Sequence, residues 1–382
     1  MRSFYFTYFA TLGIVVPYFG LYYQSLGMTP IEIGVLVSII PLVRPLFAWA
    51  WTYPADQIGW RHEANVVACT LAAAAFAFYF IPVTFAGLLV ATFALAVVWA
   101  PTLAFAEAAT LEDVHRSGIP YGRVRVWGSL GFIAASWGFG GILDRAGVRL
   151  ALAAALAFAV MNASSSLLLP RPTAQRPALR TSLRAFLLRP GVLLFYAAAM
   201  LMQVSHGAYY TFFSIHMAEQ GHSGAAIGSL WAVAVVSEMV VLVGSRRLLS
   251  MAKPSSLLAA CFLLAAARWG LFAASSSLAV AIPAQILHAF TYAAFHLAAV
   301  TATHRIFPED LRASGQAVYG GVTYGFGSVA GSMMAGLLYG AIGPFRLFAA
   351  CGLIALAGAA IIGRATGRLP AFDDPEPELT SP

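Results

Sequence analysis

Apolar residues along the chain come in runs of about twenty, split by short polar breaks, the length an α-helix needs to cross a hydrocarbon layer about 30 Å thick. The pattern predicts helical spans near 3–25, 31–55, 64–84, 86–109, 123–144, 147–169, 190–218, 224–246, 255–274, 277–304, 312–340 and 343–364. No stretch alternates with a period of two, which a membrane β-barrel would require. Gly and Pro fall inside several of the runs, where membrane helices accept them more readily than soluble ones. The run from Phe4 to Tyr23 follows a single Arg2, as a secretory leader would. It is too long and too aromatic for a leader and lacks a small-residue cleavage site, so it reads as the first span.

Composition turns this pattern into a class. The chain is 60% hydrophobic and 10% charged, whereas a soluble domain carries about a quarter charged residues. A net charge of +7 invites a nucleic-acid reading, but the charge follows the membrane topology instead. With both termini in the cytoplasm, nearly all Arg and Lys fall in cytoplasmic loops and only Arg145, Arg149 and Arg346 lie outside. That asymmetry is the positive-inside rule, and it predicts an even number of spans with both ends cytoplasmic; the expected location is the bacterial inner (plasma) membrane. Between Pro170 and Pro190 the chain is rich in Arg and Pro and breaks the apolar rhythm. The expected organisation is an N-terminal six-helix bundle over 1–169, a basic cytoplasmic linker over 170–189, a C-terminal six-helix bundle over 190–365 and a disordered cytoplasmic tail over 366–382. Two such bundles fit alternating access around a midplane site. Cys69, Cys261 and Cys351 sit in apolar segments without ligand-like spacing, and no disulfide is expected.

Ionisable groups at membrane depth cost at least about 2.5 kcal/mol each by insertion scales, so they mark water, partners or function. Those inside the predicted spans are Arg44, Glu107, Arg125, His206, His216, Glu238, Arg268, His288 and His296. Glu107 and Arg125 lie equally far from a turn centred near Arg116. Antiparallel neighbours would then hold them at one height, either as a structural ion pair or as a pair facing solute. Glu238, Arg268 and His288 occupy three different spans. If they meet, an acid beside an Arg and a His can exchange a proton as its exposure changes; otherwise they form a network that locks the bundle. His288, His296 and His304 recur every eight residues, about 12 Å apart along a helix and too far to share a metal. No His lies four residues from another His on these spans, which argues against a metal-dependent membrane enzyme; no cofactor is expected. In His206-Gly-Ala-Tyr-Tyr210 an imidazole and aromatic hydroxyls share one span, and this run is expected to face the solute path. Span eleven carries Gly320, Gly321, Gly325, Gly327, Gly331 and Gly336, which reads first as close helix packing.

The segment Tyr121-Gly-Arg-Val-Arg-Val-Trp-Gly-Ser129 resembles the start of the fifth helix of major facilitator superfamily proteins of the lactose permease and phenylpropionate:proton symporter group. Asp56-Gln-Ile-Gly-Trp-Arg61 is similar to that superfamily's loop after helix two. The resemblance places Arg125 and Glu107 at substrate-binding positions, and Glu238, Arg268 and His288 at positions tied to proton coupling. A coupling glutamate of the lactose permease is replaced here by Thr291. Two of its charge pairs are replaced by Gln203 with Gly327 and by His206 with Gln285, each lost as a whole, so that no charge is orphaned. Arg44, Gln203 to Tyr210, Trp231 with Glu238, Arg268-Trp-Gly270, Leu287-His288 and His296-Leu-Ala-Ala299 resemble the phenylpropionate group more closely. The resemblance implies an all-α membrane protein, twelve transmembrane helices in two six-helix bundles, working as a transporter rather than an enzyme.

The expected function is proton-coupled symport of a small organic solute. Arg44, Arg125 and Arg268 outnumber Glu107 and Glu238, which favours an organic anion such as an aromatic carboxylate. A proton-driven exporter and a sugar or nucleoside symporter are the alternatives. Expected substrate contacts are Arg44, Glu107, Arg125, His206, Tyr210, Arg268, His288 and His296, with Glu238, Arg268 and His288 in proton coupling. The expected partners are the solute, protons and the lipid bilayer, not nucleic acid, with the protein acting as a monomer.

Overall fold

The structure, a computed structural model, describes residues 1–81, 84–171 and 186–368. Most of the linker expected at 170–189 and of the tail expected at 366–382 lies outside the described residues. Within them the chain is helical, with ten helices long and apolar enough to cross a membrane. Together with the shorter Arg61–Phe78 and Leu150–Ser166 they make the twelve that the apolar runs predict.

In chain order these are α1 (Arg2–Ser25), α2 (Pro30–Ile58), α3 (Arg61–Phe78), α4 (Phe85–Trp99, resuming as Thr102–Ser117), α5 (Tyr121–Ala146) and α6 (Leu150–Ser166). The second series is α7 (Pro190–Ser205, resuming as Gly207–Glu219), α8 (Gly224–Val243), α9 (Pro254–Ala274), α10 (Leu278–Ile306), α11 (Arg312–Ile342) and α12 (Pro344–Thr366). A short helix, Ser245–Met251, follows α8. Helix starts carry their chemistry locally. Thr29 and Glu32 cap α2 reciprocally, with Pro30 in the first turn where its missing N–H costs nothing.

One boundary departs from expectation with a consequence for the site. Helix α4 runs through Arg116, which pairs with Glu112 one turn earlier, and ends at Ser117. Gly118 then takes a left-handed conformation at φ 69°, which glycine adopts without the Cβ penalty. The turn therefore centres near Ile119 rather than Arg116, leaving Glu107 twelve residues before it and Arg125 six after. Six residues of imbalance is about 9 Å of height, so the two side chains are not level.

Contacts divide the chain into two units, the first comprising the described parts of Met1–Arg176, Gly207–Val236 and Ser332–Pro344. Within it α1 and α5 touch backbone to backbone: a Cβ on Gly131 would stand 2.1 Å from the Phe6 carbonyl oxygen, and one on Gly13 2.6 Å from that of Phe132. The segments that join these helices do so through similar contacts. A Cβ on Gly34 would meet the Ser332 carbonyl at 2.7 Å, and one on Gly140 that of Gly224 at 2.4 Å. Asp144 adds a charge, its carboxylate accepting from the Gly224 and Ala225 N–H groups at 2.5 and 3.0 Å at the start of α8.

The second unit comprises the described parts of Pro177–His206, Ser237–Gly331 and Phe345–Pro382. Its centre is aromatic: Trp269, Phe272 and Phe348 pack ring on ring, and Trp269 is fully buried. Two helices lose regularity here. Both α10 at Ala289–Ala294 and α11 at Gly321–Gly327 make a π turn. The three cysteines are free and buried.

Candidate functional site

In the first unit the charged groups form an open cluster. Arg125 rises from the second turn of α5, half-buried, with its guanidinium 4.0 Å from the Phe9 ring centroid and 5.8 Å from that of Tyr5. Both rings belong to α1, brought close by the glycine contacts described above. Gly128, one turn along α5, leaves the space: a Cβ there would fall 2.7 Å from both Arg125 Nη1 and Phe9 Cδ2. The Tyr5 hydroxyl is buried near Thr110 and Tyr121 and makes no hydrogen bond among the described residues. Glu107 feels Arg125 and then Arg44 electrostatically. Among the described residues, however, neither arginine touches it at ion-pair distance. The direct Glu107–Arg125 pair expected from the turn position is thus corrected to a longer-range coupling, for the reason of height given above. Arg44 is exposed on α2. Tyr210 lies against Tyr209 and Trp231, whose indole N–H donates to Ser214 at 2.9 Å. Asp56, in the last turn of α2, pairs with Arg61 at the start of α3.

The second unit holds a closed network. Helix α7 breaks at His206, whose backbone N–H bonds to Gln203 rather than Met202. Its own imidazole takes up the released position, Nδ1 donating to the Met202 carbonyl at 2.8 Å. A carbonyl can only accept, so in the neutral ring Nε2 is the acceptor, facing the Thr291 hydroxyl at 3.1 Å. Thr291 in turn lies 3.5 Å from Arg268 Nη1. Arg268 is 0% exposed, donates from Nε to the Ala284 carbonyl at 2.9 Å and from Nη2 to Gln285 Oε1 at 3.0 Å, and sits 4.4 Å from the Trp269 ring centroid. His288 Nε2 is 3.2 Å from Glu238 Oε1, and the carboxylate side chain is 17% exposed against 4% for the imidazole. His206 and His288 lie 5.7 Å apart, ring centre to ring centre.

The sequence left open whether Glu238, Arg268 and His288 meet. Glu238 touches His288, and Arg268 acts on His288 electrostatically. Gln285 and His206, substitutes for one lost charge pair, both enter the network. Gln203 and Gly327, substitutes for the other, are in contact, a Cβ on Gly327 falling 3.1 Å from that of Gln203.

His296 stands apart from this group. Its Nδ1 is 2.9 Å from the Tyr324 hydroxyl and 3.4 Å from that of Tyr319. Neither tyrosine is a site residue expected from the sequence, nor is Tyr292, whose ring stacks on His288 with centroids 5.4 Å apart. The signal available was a set of hydroxyl-bearing rings flanking the glycines of α11. Among the described residues no three His, Cys, Asp or Glu side chains gather as a metal would require.

Residues 1–350 match the MFS_1-like family model. The chain belongs to this family of the major facilitator superfamily. Its relatives include a probable 3-phenylpropionic acid transporter of Escherichia coli K12, 29% identical over 89% of this chain and 90% of the relative. A maltose permease of Geobacillus stearothermophilus is 25% identical over 88% of this chain and 86% of its own. Solved structures share the fold. The nucleoside transporter NupG superposes with a TM-score of 0.81 at 16% identity, covering 95% of this chain and 97% of its own. A bacterial homologue of the human lysosomal transporter Spinster, inward-facing and unoccupied, gives 0.73 at 14% identity over 98% and 97%. This major facilitator protein is therefore an integral membrane transporter and not an enzyme.

Proposed function

We propose that the protein couples proton movement to the import of a small organic anion, an aromatic carboxylate, by alternating access in the bacterial inner membrane, as a monomer with both termini cytoplasmic. One observation carries the coupling half of this reading: a carboxylate in α8 in contact with an imidazole in α10, at 3.2 Å and inside the apolar helices. A proton can reside on either side of that contact. Glu238, the more exposed of the two, is the group water can reach, so it carries the proton, while His288 and the Arg268 network sense whether it is loaded.

The anion half rests on Arg125, whose planar fork suits a carboxylate, on Arg44 as a further positive charge, and on the name of the phenylpropionic acid relative. Glu107 tunes Arg125 from a distance and accepts a solute hydroxyl. His206 and Arg268, expected as direct solute contacts, serve instead to hold the coupling pair. The maltose permease relative supports a second reading, a sugar symporter, in which Glu107 and Tyr210 bind hydroxyls.

Uptake into proteoliposomes under an imposed pH gradient tests the coupling. Glu238→Gln should abolish uphill accumulation of 3-phenylpropionate while leaving counterflow exchange intact. Unchanged gradient-driven accumulation in that variant would remove Glu238 from the mechanism.

A further inference from the structure

The π turns of α10 and α11 bring four side chains into one cluster. A π turn inserts a residue into the helical ladder at a cost in hydrogen-bond geometry, and such turns concentrate at functional sites. The two here place Tyr292 and Tyr324 with ring centroids 5.9 Å apart at 66°. Tyr324 meets His296 at 5.7 Å and 61°, and Tyr319 meets Tyr324 at 5.9 Å and 85°. Tyr319 is buried behind the cluster, Tyr292 and Tyr324 are half-buried, and His296 is exposed.

Exposure is the informative part. An imidazole open at mid-helix in a membrane span is costly against hydrocarbon, and acceptable where it borders water or solute. The hydroxyls of Tyr319 and Tyr324 lie within 3.4 Å of each other and of His296 Nδ1. What Tyr319 and Tyr324 offer a solute is therefore ring faces and edges rather than free hydroxyls. A sugar would have to compete for bonds already made, whereas an aromatic ring needs only an edge-to-face seat of the kind these rings already adopt among themselves.

We propose that Tyr292, His296, Tyr319 and Tyr324 form an aromatic subsite that receives the ring of the cargo edge-to-face, making the transporter selective for aromatic over alicyclic carboxylates. The proposal rests on the aromatic-carboxylate reading above. Tyr292 and Tyr324 supply the ring contacts, Tyr319 backs them, and His296 fixes the Tyr324 hydroxyl.

Equilibrium binding of 3-phenylpropionate and 3-cyclohexylpropionate to the purified full-length protein separates the two claims, because the acids share the carboxylate and the linker and differ in the ring, planar with a π system in one and saturated and puckered in the other. The wild type should prefer the phenyl compound by about threefold to tenfold, the span of aromatic edge-to-face contacts. Tyr292→Leu and Tyr324→Leu should each bring that preference toward one while changing affinity for the cyclohexyl compound less than about twofold. Tyr324→Phe, which keeps the ring and the packing, should retain it. A preference that survives both leucine variants overturns the subsite and leaves the carboxylate reading standing. Failure of the wild type to bind either acid overturns the carboxylate reading, and the subsite falls with it.

Discussion

Arg125 and Arg268 both belong to helices long and apolar enough to cross a membrane, and the protein accommodates them by opposite means. Arg268 has no exposed surface, and its guanidinium is spent on the Ala284 carbonyl, Gln285 and a tryptophan face. Arg125 is half-buried and rests on Phe9, with its acid Glu107 held out of contact. A planar group stacked on a ring keeps its edge, and so its N–H donors, facing outward. The same residue type thus serves as a closed strut in one unit and as an available hand in the other. An arginine at membrane depth says that something compensates the charge; only its surroundings say whether that compensation leaves room for a solute.

Removing each charge should therefore do different damage. Arg268→Gln leaves the Ala284 carbonyl and Gln285 without their donor and unseats the ring below, so a loss of about 2–4 kcal/mol in stability is expected together with loss of transport. Arg125→Gln should abolish binding while the melting temperature stays near that of the wild type. Equal melting losses in the two variants would erase the distinction between strut and hand.

The next effect down is subtler. Arg125→Lys keeps the charge but replaces a fork by a point, losing about one charge-assisted bond of 1.5–3 kcal/mol, or about tenfold to hundredfold in affinity for 3-phenylpropionate. Affinity within about twofold of wild type would mean that Arg125 acts by charge alone, coupled to Glu107 at a distance, and not through its fork.

How much of this could be read from the chain follows from which forces are local. The twelve helices were legible because a hydrocarbon layer imposes one length and one polarity on each, and α1, expected at 3–25, forms over Arg2–Ser25. The identities of the ionisable groups were legible for the same reason, since each interrupts an apolar run. Their pairings were not. Glu238 and His288 meet across helices that no spacing rule relates, and the Glu107–Arg125 pair failed because a left-handed Gly118, not Arg116, decides where α4 ends. The glycines of α11 were read as packing, and Gly327 does abut Met200 and Gln203. Yet the run from Gly321 to Gly327 is also where the helix widens. Glycine permits both outcomes, and only the neighbouring helices choose, which is why Tyr319 and Tyr324, although they flank those glycines, could not be told from packing residues in the sequence.

The smallest predicted change tests whether the seat of Arg125 was shaped for it. Gly128 sits in the middle of a helix, where alanine is favoured by about 1 kcal/mol on propensity alone. A methyl there would meet Arg125 Nη1 and Phe9 Cδ2, each at 2.7 Å. The guanidinium is the end of a flexible chain and can yield, while the ring is held by the contact of Phe9 with Tyr8 at 5.1 Å. Gly128→Ala should therefore leave the melting temperature level or slightly higher, because the propensity gain offsets the crowding. It should weaken 3-phenylpropionate binding by about twofold to fivefold, since a stacked cation of this kind is worth roughly 0.5–1 kcal/mol and its geometry sets the direction of the fork. Alanine that lowers the melting temperature and spares affinity would show the reverse: a glycine kept for the fit of α1 against α5, with the arginine merely resting in the space that remains.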